Sequence, residues 1–358
     1  MKYVRWCALV VLLPVASPSF AQSSVSLYGV ADVSVRYTTN ANADNDHLLE
    51  LTNGATTASR WGLRGSEDLS SQLRAIFVLE SGINLDDGTV TQSGTMFGRQ
   101  AYVGMQGNWG TIALGRQNTV GWTFSGDFDP LFVGNYQANS WPYSLDRVRA
   151  NNVTSYSARF GGLNFGAGYG FGEGPGNPPD NSYWGLQSSY SWAHFGIGAV
   201  YQEVWAQSNY KQRMWSVAGR YQFASVGLYL AYIGGRDRSG AIDNDFMNDP
   251  SRDIFVTPEA AANAPRTDAI LATGVRWQAA PAVVMAVAFY YDDIGNKNGI
   301  SGNGGKRYTG VLLSEYSFSP RTQVYGTLDY NRVTGGAYTE LPGKSNQLGV
   351  AAGLRLRF

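Results

Sequence analysis

The final dozen residues alternate without interruption. Leu348, Val350, Ala352, Leu354, Leu356 and Phe358 fall in one phase, and Gln347, Gly349, Ala351, Gly353, Arg355 and Arg357 in the other. Successive side chains of a strand point to opposite faces, so this segment has one apolar flank and one flank carrying two arginines. The phase recurs along the chain. Val25, Leu27, Gly29, Ala31, Val33, Val35 and Tyr37 oppose Ser26, Asp32, Ser34 and Arg36; Leu73, Ala75, Phe77 and Leu79 oppose Arg74 and Glu80; Val324, Gly326, Leu328 and Tyr330 oppose Gln323, Tyr325, Thr327 and Asp329. Such segments run roughly ten to fourteen residues, which suits a tilted membrane-crossing strand better than a soluble strand of about five or six.

Residues 1–21 read as a secretory leader: Lys2 and Arg5 are followed by an apolar stretch from Trp6 to Val15 and small residues near Ala21. Its removal takes the only cysteine, Cys7, and leaves a barrel domain over 22–358 that no disulfide holds. It also takes two of the 27 basic residues against 27 acidic ones, so the mature chain is formally slightly acidic. After the leader no apolar run approaches 18 residues, which excludes a transmembrane helix. Charged residues are 15% of the chain, aromatics 13% and glycines 44 in number. That profile fits neither a coiled coil, a charged disordered tail nor a nucleic-acid binder.

The connections alternate in length. Short ones fall near Glu67–Ser71, Gln106–Gly110, Phe160–Leu163, Trp192–Phe195, Phe223–Val226, Ala279–Ala282 and Ser317–Arg321. Long ones fall near Thr39–Thr56, Gly82–Thr95, Asn118–Ala150, Gly172–Ser182, Glu203–Gln212, Gly235–Arg266, Asp292–Lys306 and Arg332–Lys344. Seven short turns and eight long loops join sixteen strands, all-β and antiparallel. Every backbone amide in hydrocarbon needs a partner, so an up-and-down transmembrane barrel must close on itself. About sixteen strands enclose an aqueous channel, whereas about eight would fill with side chains. Tyr and Trp near strand ends, among them Tyr102, Tyr201, Trp215, Tyr290 and Tyr316, suit interfacial girdles. Around Gly110–Arg116 the phase places Arg116 with Ile112 and Leu114, so a bulge or an early strand end is expected there.

Several motifs carry a resemblance: Ser24-Val25-Ser26-Leu27-Tyr28-Gly29, Arg60-Trp61-Gly62-Leu63-Arg64-Gly65-Ser66-Glu67-Asp68-Leu69, Phe97-Gly98-Arg99-Gln100-Ala101-Tyr102-Val103-Gly104, Gly110-Thr111-Ile112-Ala113-Leu114-Gly115-Arg116-Gln117 and the terminal Phe358. Together they resemble the general trimeric porins of β-proteobacteria, the Neisseria and Burkholderia type. The resemblance implies a sixteen-stranded homotrimer in the cell outer membrane, among lipid and lipopolysaccharide, with the third long loop folded into each pore. It further implies passage of small hydrophilic solutes and recognition of Phe358 by the outer-membrane assembly machinery.

The third loop, 118–150, has 33 residues and is rich in apolar side chains: Trp122, Phe124, Phe128, Leu131, Phe132, Tyr136 and Trp141. It is too long for an ordinary connection and too apolar for a disordered one. Packed on the inner wall, it would place Asp127 and Asp129 opposite the candidate inward cations Arg36, Arg60, Arg64 and Arg74, with Arg99 and Arg116 as additions. Opposed charges across a narrow, poorly screened passage set up a transverse field. The plainer reading is that the arginines form wall ion pairs with Glu80 and other acids; both can hold. Arg149, Arg276, Arg355 and Arg357 would add to a weak anion preference, while Asp44, Asp46, Glu50, Asp86, Asp87, Asp237, Asp243, Asp245, Asp249 and Asp253 would draw cations to the mouth. Trp61, Leu63, Phe77 and Leu79 would suit a subunit contact.

No Gly-x-Ser-x-Gly, zinc-ligand spacing or phosphate loop occurs, and His47 and His194 lie in a loop and a turn. Neither an enzyme nor a bound cofactor or metal is expected. The competing functions are a substrate-specific outer-membrane channel and an adhesin displaying Gly235–Arg266.

Overall fold

The computed structural model describes residues 23–92, 94–134, 141–175, 180–206, 210–246 and 255–358. The leader, Cys7, Tyr136, Asp249 and Asp253 lie outside them. The strands run Ser23–Thr38 (β1), Leu48–Asn53 (β2), Arg60–Ser70 (β3), Leu73–Gly82 (β4), Gln100–Gly107 (β5), Gly110–Asn118 (β6), Arg149–Phe160 (β7), Leu163–Gly170 (β8), Tyr183–Trp192 (β9), Phe195–Trp205 (β10), Lys211–Phe223 (β11), Val226–Asp237 (β12), Arg266–Ala280 (β13), Val283–Gly295 (β14), Gly305–Ser317 (β15), Thr322–Gly335 (β16) and Asn346–Arg357 (β17).

From β3 onward each strand pairs antiparallel with the next, and β1 pairs with β17 from Val30↔Arg357 to Thr38↔Gly349, which closes the sheet. At that seam Gly29 and Phe358 exchange both backbone hydrogen bonds, at 3.0 and 3.1 Å. β2 and β3 share one position in the barrel. The second half of β1 pairs with β2 and the first half with β3. The barrel therefore has sixteen positions filled by seventeen segments. Sequence reading assigned Leu48–Asn53 to a loop. Its alternation is only six residues long, and its pairing comes from the far end of an unusually long β1. The break at Gly54–Ser59 is a turn with Gly54 at φ 63°, where a side chain would strike the Thr57 carbonyl.

One flank of the sheet carries an apolar belt open to the surroundings, including Leu27, Leu51, Val103, Leu114, Leu186, Ile197, Val217, Leu230, Val287 and Leu354. A water-soluble monomer does not expose so much contiguous apolar surface; lipid is the medium that matches it. Asp32, Ser34 and Arg36 occupy the opposite flank and are buried.

On β12 to β15 that inner flank is itself apolar: Ile233, Ile270, Ala272, Ala286, Ala288, Val311 and Leu313 are buried, together with Tyr290. What covers them is the segment between β6 and β7, whose Phe124, Phe128, Leu131, Trp141, Tyr143 and Leu145 form one core with the wall. Fully burying a Phe or Leu of this kind contributes roughly 1.5–3 kcal/mol. Two expected girdle residues belong to the inner flank instead. Tyr290 is buried and bonded to Asp129, and Tyr102 shares the phase of Glu80, whose partner across the strands is Gln100.

Candidate functional site

The segment after β6 begins with α1 (Val120–Phe128), and the wall supplies its first hydrogen-bond acceptors. Thr119 caps the helix by accepting from the Trp122 N–H at 3.2 Å, Val120 N–H donates to Tyr183 Oη at 2.8 Å, and Gly121 N–H donates to Gln202 Oε1 at 2.9 Å. These amides have no partner within a helix, so the cap and the wall satisfy them together. The return limb, the 3-10 turn Trp141–Asp146, is held from the same direction: Gln202 Nε2 donates to the Asp146 carbonyl at 2.6 Å and Gln212 Nε2 to that of Leu145 at 2.9 Å. Gln202 thus grips both limbs. Trp141 Nε1 donates to Thr309 at 2.9 Å on the far wall.

Inner-wall glycines make room for this segment. A methyl group at Gly198 would lie 2.8 Å from the Phe124 ring, and one at Gly274 would lie 2.5 Å from Pro130. Gly235 clears space for Leu145 in the same way. Such contacts force a shift, because Cβ atoms do not approach carbon so closely.

A cationic wall is built on β3 to β7. Glu80 is the acid at its centre. It accepts from Arg99 Nε at 2.7 Å and from Tyr28 Oη at 2.9 Å, and its other ion-pair partner, Arg60, lies 3.5 Å away. Arg116 Nε donates to the Gly98 carbonyl at 2.7 Å, and its terminal amine donates to Asn151. Arg149 lies within electrostatic reach of Arg60, Arg99 and Arg116, and its buried Nε has no acceptor among the described residues. The bulge that the phase of Arg116 requires is present: the pairing of β6 with β7 shifts between Gly115 and Gln117, with Gly115 at φ 135°. A side chain there would meet the Ala101 carbonyl, so the position demands glycine.

Of the eight expected site residues, Arg60, Arg99 and Arg116 come together here. Arg64 is exposed and meets this cluster only through the Tyr28 ring, 5.3 Å from its guanidinium. Arg36 is buried in a two-pronged pair with Asp329, at 2.8 and 2.9 Å. Arg74 is half exposed beside the Ser70–Leu73 turn, 3.5 Å from Asp68, and so sits at the short-turn rim. Asp127 shares the loop face with Thr123. Burial pushes its carboxyl up, and Arg220 and Arg159 oppose that shift. Asp129 is a buried anchor: it accepts from Tyr290 Oη at 2.6 Å, from Val133 N–H at 2.7 Å and from Leu131 N–H at 3.2 Å. Sequence reasoning missed Arg159 and Arg220, whose inward phase near the Phe160–Leu163 and Phe223–Val226 turns was the available signal.

The mouth carboxylates divide as well. Asp237 is buried, and it ties down the following turn through Ser239 and the Ile242 N–H at 2.9 Å. Asp243 enters a buried node in which Arg266 contacts Asp243, Asp268 and Glu340 at 2.7–2.8 Å. Lys297 joins through Asp243 at 2.8 Å and Arg307 through Glu340 at 3.1 Å. Burial disfavours the Glu340 charge, but Arg266, Lys297 and Arg307 outweigh it and hold the carboxyl well below its usual range. Three long loops meet in this node. Arg307 also lies over the Trp141 ring at 4.9 Å, which links it to the segment after α1.

Sequence and fold comparisons agree with this architecture. The profile of a family described as Gram-negative porin matches residues 8–336. An outer membrane porin protein of Bordetella pertussis is 32% identical over 264 residues, covering 64% of this chain and 69% of that one. A major outer membrane protein of Neisseria meningitidis is 23% identical over 369 residues and covers 98% of both chains. Among solved structures, an anion-selective porin from Comamonas acidovorans superposes with a TM-score of 0.73 at 24% identity, over 94% of this chain and all of that one.

Proposed function

The chain belongs to the Gram-negative porin family, and on that footing we infer how its barrel filters solutes. It is an outer-membrane general diffusion porin, a passive water-filled channel. The loop between β6 and β7, in its described parts 119–134 and 141–148, narrows the lumen. Its exposed Thr123 and half-buried Asp127 form one side of the passage, and Arg60, Arg99, Arg116 and Arg149 form the other. Opposed charge in a confined space favours small polar solutes that align their dipoles, and it disfavours large apolar ones that must shed water.

The cation surplus of the inner wall is the observation that carries a weak anion preference. Glu80 answers two arginines, Arg60 and Arg99. Glu315 answers two more, Arg276 at 2.7 Å and Arg355 at 2.6 Å. Among the described residues Arg116, Arg149 and Arg357 have no ion-pair partner. The anion selectivity of the Comamonas protein agrees with this reading. The protein works as a homotrimer, with the half-buried outward patch of Trp61, Leu63, Phe77 and Leu79 in the subunit contact. Residues 1–21 direct its export, and Phe358 serves recognition by the assembly machinery. It has no catalytic role.

Planar-bilayer recordings test the reading. Linear, non-saturating conductance with a modest anion-favouring reversal potential in a potassium chloride gradient is expected; clear cation preference would reject the assignment. Conductance that saturates with one solute would favour a substrate-specific channel.

A further inference from the structure

The lipid-facing flank should be uncharged except at its rims, yet β10 to β12 carry a charged cluster on it. Register places Glu203 opposite Arg213 and Trp184, and Trp205 opposite Lys211. All share the phase of the exposed Leu186, Ile197 and Val217. The cluster lies at the long-loop ends of these strands. Trp184, Tyr201, Trp205, Trp215 and Tyr232 border it, as at a membrane–water interface.

Its charges do not balance. Glu203 is buried and saturated. One oxygen accepts from Tyr201 Oη at 2.7 Å and Arg213 Nε at 2.8 Å; the other accepts from Lys211 Nζ at 2.9 Å and Trp184 Nε1 at 3.3 Å. Arg213 uses only Nε, so its terminal amines have no protein acceptor among the described residues. Directly across the ladder from Arg213 stands Arg236, exposed and in the same phase, and Arg238 follows with its guanidinium 5.8 Å from the Tyr210 ring. Four cations thus meet one carboxylate. Like charges placed opposite each other on a sheet destabilise it unless an anion lies between them.

We propose that Lys211, Arg213, Arg236 and Arg238 bind the phosphate-bearing headgroup of an outer-leaflet glycolipid, whose acyl chains lie along the apolar strip of Leu186, Ile197, Val217 and Leu230. Glu203 fixes Lys211 and Arg213 in place, so the site is preorganised and not a loose set of surface lysines. Planar guanidinium groups suit phosphate oxygens. The apolar strip directly below the cations selects a lipid over a free anion. The assignment rests on the outer-membrane placement of the barrel.

The test compares retention of bis-phosphorylated lipid A, dephosphorylated lipid A and inorganic phosphate by the folded protein in detergent, read by native mass spectrometry. Wild type should hold the phosphorylated lipid about tenfold more tightly than the dephosphorylated one, and the double variant Arg213→Gln/Arg236→Gln should lose that difference. The single variant Arg236→Gln breaks no side-chain hydrogen bond or ion pair among the described residues, so it keeps the test meaningful should the double variant fold poorly; a partial loss is expected. Equal retention of both lipids by wild type, or undiminished discrimination in the variants, would overturn the proposal. So would inorganic phosphate binding as tightly as the lipid. Bilayer conductance measured in parallel should stay at the wild-type level. A variant that lost conductance together with the lipid would show that these arginines serve the channel.

Discussion

Tyr290 on the inner wall donates its phenolic proton to Asp129, 2.6 Å away on the segment that follows α1, and both groups are buried. This bond joins a barrel strand to a loop from the opposite side of the sequence. Leaving a buried acceptor unsatisfied costs about 1–3 kcal/mol. Tyr290→Phe should therefore loosen the segment by that amount. Bilayer recordings should show larger or noisier single-channel steps, with the barrel still intact on unheated gels.

Glu80 offers a test in which two variants move oppositely. Removing its charge by Glu80→Gln leaves Arg60 and Arg99 uncompensated and should shift reversal potentials further toward anions. Arg60→Gln with Arg99→Gln leaves the acid alone and should shift them toward cations. Because the effect is electrostatic in a water-filled passage, both shifts should shrink as salt rises.

Asp146 on the return limb is fully buried, and among the described residues only the Ser125 hydroxyl is near enough to its carboxylate to oppose the effect of burial. Burial pushes its carboxyl up to about 7. A carboxyl with a higher pKa folded than unfolded holds more protons when folded, so stability falls as pH rises from about 4 towards 7 and is level beyond. Asp146→Asn should flatten that slope and stabilise the protein above neutrality by a few kcal/mol. Thermal unfolding followed across this pH range is the check.

The outer-loop node behaves in the opposite sense. Its cations hold Glu340 ionised, so the stabilisation is present above the ordinary carboxyl pKa and is lost only as pH falls through the depressed value. Breaking a buried ion pair by deleting one partner costs roughly 3–5 kcal/mol. Glu340→Gln should leave Arg266, Lys297 and Arg307 short of a counter-charge and expose the loops between β12 and β13 and between β14 and β15 to protease at neutral pH. Limited proteolysis of the folded barrel reads this directly.

Gly198→Val should displace Phe124 and with it α1. The same recordings and a proteolysis assay of 119–148 would register the change, and the wall strand itself should remain paired.

Alternation of side chains made the strands and the seven short turns legible, because lipid imposes one phase on each segment. It also exposed Arg116 as a residue out of phase, and the bulge at Gly115 answers it. Partner choice was not legible. Arg36 pairs with Asp329 only because β1 and β17 meet at the seam, which brings β16 within reach, and a two-residue period does not encode that register. From sequence alone Asp129 faces the arginines of the opposite wall, as Asp127 does, since nothing local distinguishes the two. The distinction comes from Tyr290 on a distant strand. Inner-wall glycines were likewise silent, because a recess has meaning only once the side chain that fills it is known.

The seam between β1 and β17 has a consequence in time. Its partners come from opposite ends of the described chain, so until they meet every intermediate keeps two bare sheet edges and an apolar belt, the features most prone to pairing with a stranger. Closure of this seam is thus the step that removes both edges at once, and a chain held short of it keeps the surfaces through which copies associate.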